Sequence, residues 1–270
     1  MFRNYTFQWA LVTSLFALLA LGACGRPAYD PQDAGSIIRA MEAAMGGKQS
    51  LHGLQDVQFT YTYDQVSEGT KDISVERYRF ADEASYGNYS VHKVHVAPKL
   101  DGEIKQSLLR GQTTVTQDGN PLTDPAHVGT ATFLRMANYF WFTMMFKLGD
   151  PQTIYEVLPG REVNGTTYDV VKVTYDPEKT GKPVNDTYIL YVNPETHLVD
   201  RFLFSLPAMG VKDPILLFEV EYTKMHGIQV ITKRTMFGTD GEGNKKGPAQ
   251  AIQSLSDIQF KNGFTDAQFL

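Results

Sequence analysis

One cysteine, Cys24, stands in the 270-residue chain, so an intramolecular disulfide, a cysteine metal cluster and a Cys-x-x-Cys redox pair are all closed to it. Basic tracts are missing as well. The 25 Lys and Arg against 30 Asp and Glu leave a formal net charge of −5, which argues against nucleic acid and against electrostatic binding to anionic lipid. The six histidines, at 52, 92, 95, 127, 197 and 226, are scattered. His92 and His95 lie three apart in a predicted strand and so face opposite sides, and no metal site or other cofactor is expected. Asp240 to Asn244 echoes the start of an EF-hand loop, yet Lys245 replaces the required glycine and Ala251 the bidentate Glu, so a hairpin loop over Gly238 to Gly247 is the better reading. There is no Gly-x-Ser-x-Gly elbow, phosphate loop or dinucleotide fingerprint, and no repeat or low-complexity segment.

The one long apolar run lies at the N-terminus. Arg3 provides a positive n-region, Trp9 to Leu21 an apolar h-region, and Leu21-Gly22-Ala23-Cys24 closes it. These last four residues resemble the lipobox of bacterial lipoprotein precursors. The resemblance implies cleavage before Cys24 and acylation of its sulfur, with residues 1–23 a signal peptide and 24–34 the lipidated cysteine and a Pro-containing flexible tether. Two or more acyl chains hold a protein stably, since each buried CH₂ contributes about 0.8 kcal/mol. Gly25, where an Asp would signal inner-membrane retention, implies an outer-membrane anchor with the body in the periplasm. The alternatives are a plain secretory peptide with a fortuitous cysteine, or a short transmembrane anchor.

Beyond the tether, Ser36 is placed to cap a helix with Ile37, Ile38, Met41, Ala44 and Met45 on one face, ended by Gly46-Gly47. Alternation in Val57 to Asp64 predicts a strand with its aromatics on one side. Shorter strands follow at 73–80, 86–96, 104–109 and 113–117, then a turn at Asp118-Gly119-Asn120-Pro121 and a loop at His127 to Thr130. The second half offers six strands, at 154–158, 168–175, 187–192, 198–205, 215–222 and 228–237, joined by turns such as Val163-Asn164-Gly165. The spacing predicts a meander of sequence neighbours with one covered face.

The covering element is Thr132 to Pro151. It begins as an amphipathic helix with Phe133, Met136, Ala137, Phe140, Trp141 and Met144 in register, and then Tyr139, Phe142, Met145 and Phe146 load the opposite face. The run from Tyr139 to Phe146, apolar all round, is far too short to cross a bilayer and must be covered by protein, by an apolar ligand or by a membrane surface. An ordinary buried helix is the plain alternative.

Gly46-Gly47 with Leu51, Gly53-Leu54, Val57 and Phe59; the stretch Tyr191 to Val199; and the closing Leu255 to Asn262 with Phe264 to Phe269 occur in an order similar to that of the LolA-like outer-membrane lipoprotein-sorting superfamily, in an uncharacterised lipoprotein branch. The resemblance covers about Gly35 to Leu270 and implies a single mainly β (α+β) domain, 35–270. In that fold an open, curved antiparallel half-barrel has helices closing its concave face over an apolar cavity. The chain departs from the soluble carriers in its length and its anchor cysteine.

The expectation is a non-enzymatic envelope lipoprotein that binds a lipid or acyl chain in this cavity. The lining is expected from Phe59, Tyr61, Tyr63, Phe133, Met136, Tyr139, Phe140, Trp141, Met144, Met145 and Phe146. One alternative is an envelope interaction protein whose cavity is filled by its own side chains. Another is a hydrolase using a carboxylate pair. Among Asp56, Asp64, Glu76, Asp176, Glu219 and Glu221, the last two share a strand face, and a solvated outer face is the expectation for them.

Overall fold

The computed structural model describes residues 29–240 and 242–270, so the expected signal peptide, Cys24 and the first part of the expected tether lie outside the described residues. The chain opens with helices α1 (Ala34–Ala44) and α2 (Lys48–Gly53) and strands β1 (Asp56–Gln65), β2 (Thr70–Arg79), β3 (Ala84–His92), β4 (Ile104–Leu109), β5 (Gln112–Gln117) and β6 (Asn120–Pro121). Helix α3 (Pro125–Lys147) follows, then β7 (Thr153–Val163), β8 (Thr166–Tyr175), the single turn α4 (Pro177–Thr180), β9 (Tyr188–Val192) and β10 (Val199–Leu206). The chain ends with β11 (Val211–Met225), β12 (Ile228–Thr239) and β13 (Lys245–Phe260).

All thirteen strands form one antiparallel sheet in the order β6-β5-β4-β3-β2-β1-β13-β12-β11-β10-β9-β8-β7. Its edges, β6 and β7, do not pair, so the sheet stays open. The predicted meander holds except at its middle, where β1 pairs with β13 and not only with its neighbour β2. That exchange closes the N- and C-terminal runs into one surface and leaves α3 as the link between the two edges. Its 23 residues span about 35 Å at 1.5 Å per residue, long enough to cross the concave face.

Several local expectations are revised. Asp33, not Ser36, caps α1, accepting from the Gly35 amide at 2.9 Å; Ser36 is buried and accepts from the Asp30 amide at 2.8 Å. Gly46-Gly47 does end α1, but the chain re-enters a helix at Lys48. Gly46, at φ +103°, passes so close to the β11–β12 turn that a Cβ there would stand 2.6 Å from the Gly227 carbonyl oxygen. Helix α3 starts at Pro125 under an Asp124 cap, because proline suits the first helical position, so the predicted loop at His127 to Thr130 is helical. Asn120-Pro121 pairs back onto β5, and the turn proper is Asp118-Gly119. Strand β3 ends at His92, leaving His95 outside it. The closing strand begins ten residues earlier than Leu255, at Lys245.

The tether is not free along its whole length. Tyr29 stacks on His197 with ring centroids 4.3 Å apart and donates to the Asp169 carboxylate. At the other terminus, the buried Asp56 carboxylate accepts the amides of Asn262, Gly263 and Phe264 at 2.7, 2.9 and 3.0 Å. This turns the tail across the convex face, where Phe269 is buried against Ala84 and Tyr86. Among the described residues no helix is long and apolar enough to cross a membrane.

Candidate functional site

The concave face is built from two kinds of floor. Over β8 to β11 it is apolar: Val171, Val173, Tyr188, Leu190, Phe202, Phe204 and Phe218 are each at most 3% exposed. Phe202 and Phe218 are register partners, as are Phe202 and Leu190, so strand alternation aims this set at one side. Into it the last turns of α3 deliver Trp141, whose ring centroid lies 5.2 Å from Phe204, 5.5 Å from Phe218 and 6.1 Å from Phe202. Phe140 leans on Tyr188 at 5.9 Å, while Phe142 stacks on Phe59 at 5.2 Å. Of these three consecutive aromatics, Phe140 and Trp141 therefore share the Tyr188 wall, and Phe142 plugs the opposite one at Phe59.

Over β2 to β4 the floor is polar and equally dry. Glu76 and Arg135 are both fully buried, and the Arg135 guanidinium meets the carboxylate at 2.6 and 3.1 Å. The same carboxylate accepts from Ser74 at 2.7 Å and from the Tyr78 hydroxyl at 2.9 Å, and Arg135 also donates to the Tyr89 hydroxyl. Burial opposes the charge on Arg135, but Glu76 and Tyr89 outweigh it and hold the guanidinium above its ordinary pKa; burial likewise lifts the phenols of Tyr78 and Tyr89. The guanidinium lies close against β3, where a Cβ on Gly87 would stand 2.6 Å from Nη1. Glu76 is thus no solvated carboxylate: it is the buried partner of the only cation in the apolar part of α3. Glu219 and Glu221 do occupy the outer face, paired with Lys245 and Lys233 at 2.7 Å each.

A second buried cation sits between the two floors. Arg234 of β12 is 2% exposed and donates to the backbone carbonyl of Trp141. Among the described residues no carboxylate lies within ion-pairing distance of it, and its Nε has no partner. Burial lowers its pKa to about 10, with the nearby Tyr61, Tyr222 and Tyr78 pulling the other way. Gln253, its register partner on β13, is also buried and leaves Oε1 unpartnered.

Under the first turns of α3 there is an open cavity of about 370 Å³, lined by residues including His95, Leu100, Ile104, Gln106, Val115 and His127. Gln106 Oε1 and His127 Nδ1 are buried there without partners. Among the described residues no group of three His, Cys, Asp or Glu could hold a metal ion.

The structure gathers most of the expected lining residues around α3. Phe59, Tyr139, Met144, Met145 and Phe146 are buried, and Phe140 and Trp141 are half-buried in the same cluster. Tyr61 packs beside Arg234, and Tyr63 meets His95 edge-on at 4.7 Å. Phe133 is half-buried outside that cluster, and Met136 points to solvent at 48% exposure. The helix is rotated from the expected phase because Arg135 and Tyr139, one turn apart, face the sheet. What sequence reasoning missed is Arg135 with Glu76, Arg234, and the Tyr188, Phe202, Phe204 and Phe218 trough. A lone Arg inside Thr-Phe-Leu-Arg-Met-Ala-Asn-Tyr-Phe-Trp was the available signal, since a charge in a covered helix requires a buried partner.

A family of unknown function, DUF6503, has a model that matches residues 130–211, from α3 through the β10–β11 turn. Solved structures align along most of the chain. A domain assigned to the outer-membrane lipoprotein-sorting proteins of Vibrio parahaemolyticus is 8% identical, with a TM-score of 0.48, covering 89% of this chain and 97% of that one. A DUF1329 family protein from Desulfovibrio piger is 14% identical (TM-score 0.46, 89% and 98%), and a LolA superfamily protein from Nitrosomonas europaea 11% identical (TM-score 0.46, 85% and 97%). No protein of curated function matches the sequence.

Proposed function

We propose that this protein is a non-enzymatic lipoprotein, anchored through Cys24 to the outer membrane with its body in the periplasm, that binds a lipid or acyl chain between α3 and the concave face. The observation that carries the reading is the Trp141 plug. A trough of Tyr188, Phe202, Phe204 and Phe218 is covered by the half-buried Trp141, with Phe140 beside it on Tyr188, on a helix that the Arg135–Glu76 pair ties to the sheet. Withdrawing that helix exposes a continuous apolar surface of the kind that accepts acyl chains. The carboxylates support the non-catalytic side of the reading: Glu76 is saturated by Arg135, Tyr78 and Ser74, and Asp56 by the tail amides.

The test is mass spectrometry of organic extracts from the purified protein, made without hydrolysis so that chains bonded to Cys24 stay behind. A stoichiometric lipid is expected in the wild type and in Trp141→Ala, which only removes the competing plug, and its loss is expected in Phe204→Asp, which makes the trough itself polar, with the β-sheet circular dichroism retained. An empty, folded wild type that also takes up no acyl probe points instead to an envelope interaction protein with a self-filled cavity.

A further inference from the structure

Resting on that reading, we propose that Arg234 is the headgroup site of the cavity and that the ligand is an anionic amphiphile, with a carboxylate or phosphate on a single apolar tail. Among the described residues three arginines are buried, and two have anions: Arg135 has Glu76, and Arg201 has Glu219 at 3.8 Å. Arg234 is the exception. A desolvated cation without an anion is costly, and its one acceptor, the Trp141 carbonyl, belongs to the interior of α3, where it also serves the helix ladder. That carbonyl moves with the plug. When α3 withdraws, the guanidinium loses its acceptor at the moment the aromatic trough opens beside it, and a ligand with an anion at one end and an acyl chain at the other satisfies both vacated partners. The anion takes the planar N–H fork that Arg presents, for which both carboxylate and phosphate have matching geometry. The tail replaces the Trp141 ring against Phe202, Phe204 and Phe218.

The full-length protein, purified in detergent, is given equal amounts of dodecanoate, dodecyl phosphate and dodecan-1-ol, and the bound species are counted by native mass spectrometry. The two anions are expected to exceed the alcohol by about tenfold or more, the factor that one charge-assisted hydrogen bond supplies. In Arg234→Met the preference falls to near unity while the alcohol still binds; in Arg234→Lys it is retained in part. Should Arg234→Met not fold, the wild-type ranking together with Arg234→Lys decides. Acetate and inorganic phosphate, lacking tails, are expected not to compete; if they do, the site serves free anions and the amphiphile assignment is overturned. Equal binding of acid and alcohol by the wild type, or a preference that survives in Arg234→Met, overturns the headgroup site and leaves the apolar cavity standing. Binding of none of the three removes both.

Discussion

The two floors of the concave face are equally dry and held by opposite physics. Under Arg135 the sheet offers Ser74, Glu76, Tyr78 and Tyr89; under Trp141 it offers Tyr188, Phe202, Phe204 and Phe218. The first is a directional network in which every group needs a specific partner, so it is either complete or strongly unfavourable. The second is non-directional dispersion and area burial, which tolerates exchange of one apolar body for another of similar volume. A helix crossing both is pinned at one end and exchangeable at the other. In the proposed function the Arg135 half therefore acts as the fixed end and the Trp141 half as the part a ligand replaces.

The sharpest way to break that contrast is to remove the anion from the fixed end. Glu76→Ala leaves Arg135 buried and uncompensated, with an expected loss of about 3–5 kcal/mol in urea denaturation. Pairing Glu76→Leu with Arg135→Met replaces the network by apolar contacts and should recover most of that loss, since buried pairs often exchange neutrally for packed apolar residues. A single variant that loses less than about 1 kcal/mol, the size of a surface pair, would show that the two floors do not differ as described.

Gly87→Ala sharpens the same point with a smaller change. Its Cβ would press on the Arg135 guanidinium at 2.6 Å and on Glu76 Oε1 at 2.8 Å, so a cost of about 1–3 kcal/mol is expected. In an Arg135→Met background the cost should shrink, because the guanidinium atoms are gone and only Glu76 Oε1 remains close. Additive losses in the double-mutant cycle would mean that the glycine serves its strand and not the pair.

How much of this could be read in advance follows the same division. Strands were legible wherever alternation was clean: β4 falls at its expected residues, and β8 and β9 begin or end within two of theirs. Tyr139 to Phe146 was legible as a helix needing cover on both faces. The pairing of β1 with β13 was not, because a contact between strands almost the whole domain apart has no local signature. Nor was Glu76: in Ile73 to Arg79 both faces mix polar and apolar residues, so the pattern does not say which is covered, and only Arg135 arriving from another element resolves it. Helix phase failed for a related reason. Periodicity assigns Arg to the wet side, and here a cation belongs to the dry side, turning Met136 outward. The Phe202, Phe204 and Phe218 trough was visible as strands, but not as the surface opposite Trp141.

A carboxylate at the rim of the apolar floor gives the smallest test. Asp186 sits between the single turn α4 and β9 and accepts from Tyr188, a wall of the Trp141 trough, at 3.2 Å. Burial raises its carboxyl pKa, against the opposing Tyr188 hydrogen bond and Lys182. A carboxyl raised in the folded state contributes its stability fully below the unfolded pKa of about 3.9 and loses it as pH rises through the folded value. At neutral pH the ionised Asp186 is then a small net cost, because no arginine meets it as Arg135 meets Glu76. Asp186→Asn keeps an acceptor for Tyr188 and removes the charge, so it should stabilise the protein by less than about 1 kcal/mol at pH 7 and not at all below about pH 3.9. Thermal unfolding at the two pH values reads this directly. A gain of equal size at both would trace to packing, and the rim of the apolar floor would then carry no electrostatic difference from the polar one.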